Sequence, residues 1–93
     1  MSALVAAPTL SPLYRMQWEE AQQSWVLLYP EGMVRLNTSA AEILRLADGL
    51  RSRAQIVEAL EARFACSGLA GDVCDFLDIA CQQGWVTEPG AAP

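Results

Sequence analysis

The 93-residue chain has no histidine and no lysine, and its three cysteines include no Cys-x-x-Cys pair. Without histidine the commonest general base near neutral pH is missing, which leaves acids, tyrosines and cysteines as the only catalytic candidates. All six basic residues are arginines scattered singly against eleven acids, for a net charge of -5. A protein that gains affinity by neutralising phosphates needs the opposite balance, so nucleic acid is a poor default partner. The three thiols, Cys66, Cys74 and Cys81, form an odd set. On one helix, Cys74 and Cys81 would stand ~10 Å apart, beyond disulfide reach, and all three read as small buried or half-buried apolar residues. No basic segment precedes the apolar run of residues 1–12, which Pro8 and Pro12 interrupt. Neither a signal peptide nor a membrane span is expected there, and the chain reads as cytoplasmic.

What is present suits one small folded unit. Hydrophobic residues make up 53% of the chain and charged ones 18%, enough apolar surface for a modest core. Residues 1–12 read as a flexible N-terminal tail, residues 13–87 as the domain and residues 88–93 as a frayed C-terminal tail. Tyr14 to Trp18 alternates large apolar with polar residues, as a half-buried strand does. Trp25 to Tyr29 is apolar throughout and reads as a central strand covered on both faces. After the turn residues Pro30, Glu31 and Gly32, Met33 to Leu36 makes a short third strand at an edge, with neither proline nor lysine to block pairing.

The helices follow. A first one starts at or just after Asn37, where Ser39 and Glu42 have capping-box spacing, carries Ala40, Ile43, Leu44 and Ala47 as its stripe, and ends at Gly49. Ser52 and Gln55 form a second capping-box pattern ahead of a helix with Ile56, Val57, Leu60 and Phe64 on its inner face and Arg53 outside. Asp72 caps a third helix, Val73 to about Gln83, with a core stripe of Val73, Phe76, Leu77 and Ala80. Ile79 stands outside that stripe beside Asp75 and Asp78, a candidate partner surface. Trp85 to Thr87 returns as a short extended segment. The order predicts an α+β fold, winged helix-turn-helix-like: a three-stranded antiparallel sheet followed by three helices.

Taken together, Pro30, Glu31, Gly32, Val34, Leu36, Asn37, Ala40, Ile43 and Leu44, then Asp48-Gly49, then Asp72-Val73 with Phe76-Leu77, resemble the pyrroloquinoline quinone (PQQ) biosynthesis protein D family, PqqD. The resemblance spans Leu13 to Thr87. It implies a winged-helix recognition element with no catalytic role and no cofactor. Such an element binds the ribosomally made PQQ precursor peptide and presents it to a radical S-adenosylmethionine (SAM) enzyme that cross-links its Glu and Tyr side chains.

The residues permit the matching binding mode, in which an extended peptide adds to the open third strand through the backbone of Met33, Val34, Arg35 and Leu36. By resemblance, Phe76, Ile79 and Ala80 line apolar pockets and Asp75 or Asp78 makes polar contacts. A helix-turn-helix DNA-binding role would set Asp72, Asp75 and Asp78 toward the major groove with no Lys or Arg on that helix. A carrier role lacks the attachment serine after Asp48-Gly49, and a structural dimerisation role stays open. The expected form is a monomer, with a strand-swapped dimer allowed by the short Pro30 to Gly32 hinge.

Overall fold

A computed structural model describes residues 7–88. Three strands form the main antiparallel sheet: β2 (Arg15–Glu19), β3 (Ser24–Tyr29) and β4 (Gly32–Arg35), with β3 in the middle. The helices follow as α1 (Thr38–Arg45), α2 (Arg53–Phe64) and α3 (Ala70–Gln82). A second, two-stranded sheet joins β1 (Thr9–Leu10) to β5 (Val86–Thr87). The α+β architecture is therefore as expected, with the third expected strand appearing as β4 at the sheet edge.

Strand alternation sorts the main sheet into two faces. In the register Met16↔Leu27↔Val34 and Trp18↔Trp25, residues of one face point at the helices. There Leu27 and Leu36 join Ala40, Ala41 and Leu44 of α1, Ala80 of α3 and Val86 of β5 in one buried cluster. A second cluster holds the three helices together through Ile43, Ile56, Val57, Leu60, Val73 and Leu77. Phe76 packs against both clusters and so ties the sheet layer to the helical layer. Leu27 is fully buried, and its truncation to alanine would cost about 2–5 kcal/mol.

The N-terminal boundary falls earlier than expected. Pro8 is fully buried and Ser11 nearly so, Thr9 and Leu10 pair with Thr87 and Val86, and Ser11 N–H donates to Trp85 O at 2.8 Å. Residues 8–12 thus belong to the folded unit; of the rest of the expected tail, only Ala7 is described, and residues 1–6 lie outside the described residues. The same pairing explains Asp48-Gly49. Thr9 bridges Asp48, Leu10 N–H donates to Ala47 O, and Gly49 N–H donates to Pro8 O. Gly49 takes φ +80° with the Thr9 side chain close by, a conformation that favours glycine. It receives β1 and does not cap α1, which stops at Arg45 because Ala47 is drawn into this pairing.

The caps correct two further expectations. Asn37 is the N-cap of α1, its Oδ1 accepting from Ala40 N–H at 2.7 Å, while Ser39 lies inside the helix and Glu42 pairs with Arg63 at 2.9 Å. Ser52 and Gln55 do form the capping box of α2. The third helix begins at Ala70, before Asp72, and Leu69 at its N-cap makes no side-chain cap; Asp72 sits in the first turn, where its charge meets the helix dipole favourably. Phe64, expected inside, is half exposed at the end of α2.

Candidate functional site

The free edge of β4 can be resolved group by group. In an antiparallel ladder, residues that exchange hydrogen bonds alternate with residues that do not. Leu36 N–H donates to Trp25 O at 2.9 Å, which makes Leu36, Val34 and Gly32 the bonded partners of Trp25, Leu27 and Tyr29. Met33 and Arg35, opposite Leu28 and Val26, therefore turn their N–H and C=O groups to the open side. Among the described residues no backbone group pairs with them. Of the four backbone positions expected to bind a strand, two face outward and two are committed to β3.

Side chains divide differently. Met33 is 48% exposed and Arg35 is exposed on the outer face, whereas Val34 and Leu36 point at the helices, Val34 half-buried and Leu36 in the core. Val34 and Phe76 pack against the same buried cluster, one from β4 and the other from α3.

On α3 the core stripe is Val73, Leu77 and Ala80. Ala80 is fully buried, so its expected place in an apolar pocket is overturned: it is core. Phe76 and Ile79, at i and i+3, run along one flank of that stripe; Cys74, Asp78 and Cys81, at i, i+4 and i+7, run along the other. Ile79 is 50% exposed and Asp75 is exposed on the back of the helix. Asp78 is engaged elsewhere, its Oδ1 lying 2.9 Å from Arg53 Nη1.

That engagement belongs to a cluster with no signal in the local sequence. Arg53 Nε and Nη2 donate to the two Glu88 oxygens at 2.6 and 2.8 Å, and Nη1 donates to Cys74 O at 3.3 Å. Cys81 Sγ lies 3.5 Å from Glu88 Oε1. Arg53 holds the Glu88 carboxyl below its ordinary value, and Glu88 in turn raises the Arg53 guanidinium. Burial, followed by the neighbouring carboxylate, pushes the Cys81 thiol up, so it stays protonated near neutrality. Arg53 is thus not an outer residue, nor is Glu88 the start of a frayed tail. Of the cysteines, Cys74 and Cys81 are half-buried as expected, but Cys66 is exposed.

Two concavities flank the corner where β4 runs into α1. One, of about 590 Å³, opens at the Arg35 end of the strand between Trp18, Trp25, Asn37 and Glu42. The other, of about 280 Å³, is more apolar and lies between Ile43, Leu60, Phe64, Leu69 and Val73. Thr38 and Glu42 line both, but only the first is also lined by a residue of β4, Arg35.

A three-stranded antiparallel sheet with β4 at one edge, backed by a layer of three helices, defines a small winged-helix-like domain. The chain belongs to the PqqD family: the family described as Coenzyme PQQ synthesis protein D (PqqD) matches residues 24–86. It is 53% identical over 79 residues to the PqqA binding protein of Methylococcus capsulatus, covering 85% of each chain. It is 56% identical over 75 residues to the PqqA binding protein of Klebsiella pneumoniae strain 342, covering 80% of this chain and 82% of the relative.

Among solved structures, the PqqD truncation of Methylobacterium extorquens PqqCD, described as a stand-alone recognition element for ribosomally synthesized and post-translationally modified peptides, superposes with a TM-score of 0.73. That match covers 94% of this chain and 99% of the other at 23% identity, a likeness of fold. PqqD from Xanthomonas campestris superposes with a TM-score of 0.57 at 31% identity, covering 85% and 90%.

Proposed function

We propose that this chain binds PqqA, the ribosomally made precursor peptide of PQQ, as a fourth strand on the main sheet, and that it is a carrier of the peptide with no catalytic role. The observation that carries the reading is the pair of outward peptide units at Met33 and Arg35 on an uncovered strand edge. Strand addition satisfies those groups with main-chain hydrogen bonds, while pockets for alternate side chains supply selectivity. Phe76 and Ile79 on one flank of α3 offer apolar contact, and Asp75 offers a charge beside them. Asp78 is better placed as a structural partner of Arg53.

In this reading the loaded chain presents the peptide to the radical SAM enzyme of the pathway, in the cytoplasm. No helix among the described residues is long and apolar enough to cross a membrane. The working form is a monomer with the β4 edge free, and strand exchange between copies is confined to high protein concentration. The connection between β3 and β4 is only Pro30 and Glu31, too short to leave slack.

Titration with synthetic PqqA peptide and, separately, with duplex DNA at physiological salt tests the reading. Saturable peptide binding without DNA binding is expected. DNA binding in place of peptide binding would overturn it, although α3 carries Asp72, Asp75 and Asp78 and no basic residue to meet phosphates.

A further inference from the structure

Four of the six arginines lie within ion-pair distance of a carboxylate: Arg45 and Arg63 at Glu42, Arg51 at Asp48, and Arg53 at Asp78 and Glu88. Among the described residues Arg15 and Arg35 have no such partner. Both stand on the outer face of the main sheet, Arg15 in a row with Leu28 and Met33, Arg35 in a row with Gln17 and Val26. Only Arg35 belongs to β4, where its own N–H and C=O are turned to the open side. A chain of net charge -5 therefore keeps a cation uncompensated at the place where a fourth strand would lie.

Pairing geometry says which side chain that cation meets. Residues directly opposite each other in a sheet project to the same face, with Cβ atoms about 4.5–5.5 Å apart. A peptide strand on β4 would thus place the side chains opposite Met33 and Arg35 on the outer face. The one between them, opposite Val34, would point to the helix-facing side of the sheet, where Val34 is half-buried. This holds for either direction of the added strand, because the period of two is common to both. An opposite charge across from an exposed arginine is favourable and a like charge is unfavourable.

Resting on the strand-addition reading above, we propose that Arg35 is a specificity-determining residue: it selects a peptide with a carboxylate side chain directly opposite it. The adjoining position, opposite half-buried Val34, takes an apolar side chain, and the next, opposite Met33, takes another. The recognised segment is therefore an extended stretch of acidic, apolar, apolar character, read from the Arg35 end of β4. Arg35 also flanks Val26, which is fully buried although it stands on this outer face, so the test must separate charge recognition from cover of Val26.

The experiment is a charge swap by calorimetric titration. Wild-type protein, Arg35→Glu and Arg15→Glu are each titrated with synthetic PqqA peptide and with peptides in which one Asp or Glu at a time is replaced by Lys. For Arg35→Glu the affinity for the parent peptide should fall roughly five- to tenfold, and one Lys-substituted peptide should regain it. That same peptide should bind the wild type weakly, and Arg15→Glu should behave as wild type. Unchanged affinity of Arg35→Glu for the parent peptide, or a loss that no Lys-substituted peptide repairs, would overturn the proposal. A structural role alone would lower the melting temperature of Arg35→Glu without any peptide-specific rescue. If the wild type bound no peptide at all, strand addition itself would fall, an outcome distinct from binding that ignores Arg35.

Discussion

Arg53 sits in the first turn of α2 and reaches Glu88, 35 residues further along, with two hydrogen bonds to its carboxylate. The Glu88 side chain is 10% exposed, so this pair is screened less than a surface one. Glu88→Gln should destabilise the protein by about 1–3 kcal/mol at neutral pH. The sign of its pH dependence follows from the lowered carboxyl pKa: the folded state favours the ionised form, so the stabilisation is complete above the ordinary value of 4.5 and is lost as pH falls through the lowered folded value. Thermal melts of both proteins should therefore differ at pH 7 and converge in acid; a gap that persisted in acid would rule out the charge as its cause.

Ile79 gives a second residue-level prediction. Its side chain is half exposed on the flank shared with Phe76, so Ile79→Asp should weaken peptide binding about tenfold while leaving the melting temperature within a few degrees of wild type. Unaltered peptide affinity would exclude Ile79 from the interface. Periodicity made this exposure legible, because Ile79 is the apolar residue outside the expected stripe of Val73, Phe76, Leu77 and Ala80. It could not tell that Asp78 is tied to Arg53, since that pairing depends on where α2 and the end of β5 are packed.

Among the elements, β4 carries the functional reading, and the ladder dictates which proline substitution is informative. Val34 N–H already serves the pairing with β3, so Val34→Pro should destabilise the free protein, on the order of 2 kcal/mol, and says little about peptide. Met33 N–H faces outward, so Met33→Pro removes a group the free fold does not use. Peptide affinity should fall at least about tenfold, with circular dichroism and melting close to wild type. A folded Met33→Pro variant that bound peptide as tightly as wild type would count against strand addition.

The strands of the main sheet and the capping box at Ser52 were readable because their signals are local: alternation in Tyr14 to Trp18, an unbroken apolar run in Trp25 to Tyr29, and Ser-x-x-Gln spacing. The pairing of β1 with β5 was not. Each strand is two residues long, too short for a period, and the pair exists only because Thr9 and Leu10 meet Thr87 and Val86 across almost the whole chain. Buried Pro8 shows the cost of reading a proline-flanked segment as a tail.

At the scale of the whole molecule, two buried clusters make a stable block of sheet and helices, and β4 leaves that block with one side unpaired. An uncovered edge invites aggregation, and a protein that keeps one without proline or lysine has a use for it. Helix α3 carries Asp72, Asp75 and Asp78 and no basic residue, while the exposed Arg35 stands at the edge itself.

Residue-resolved amide hydrogen exchange, with and without saturating synthetic PqqA peptide, tests whether peptide enters as a strand on β4, because it distinguishes neighbouring peptide groups. Exchange at Met33 and Arg35 should slow by at least about tenfold when peptide is bound, while Val34 and Leu36, already bonded to β3, change little. Bound peptide that left Met33 and Arg35 exchanging as fast as in the free protein would contradict strand addition.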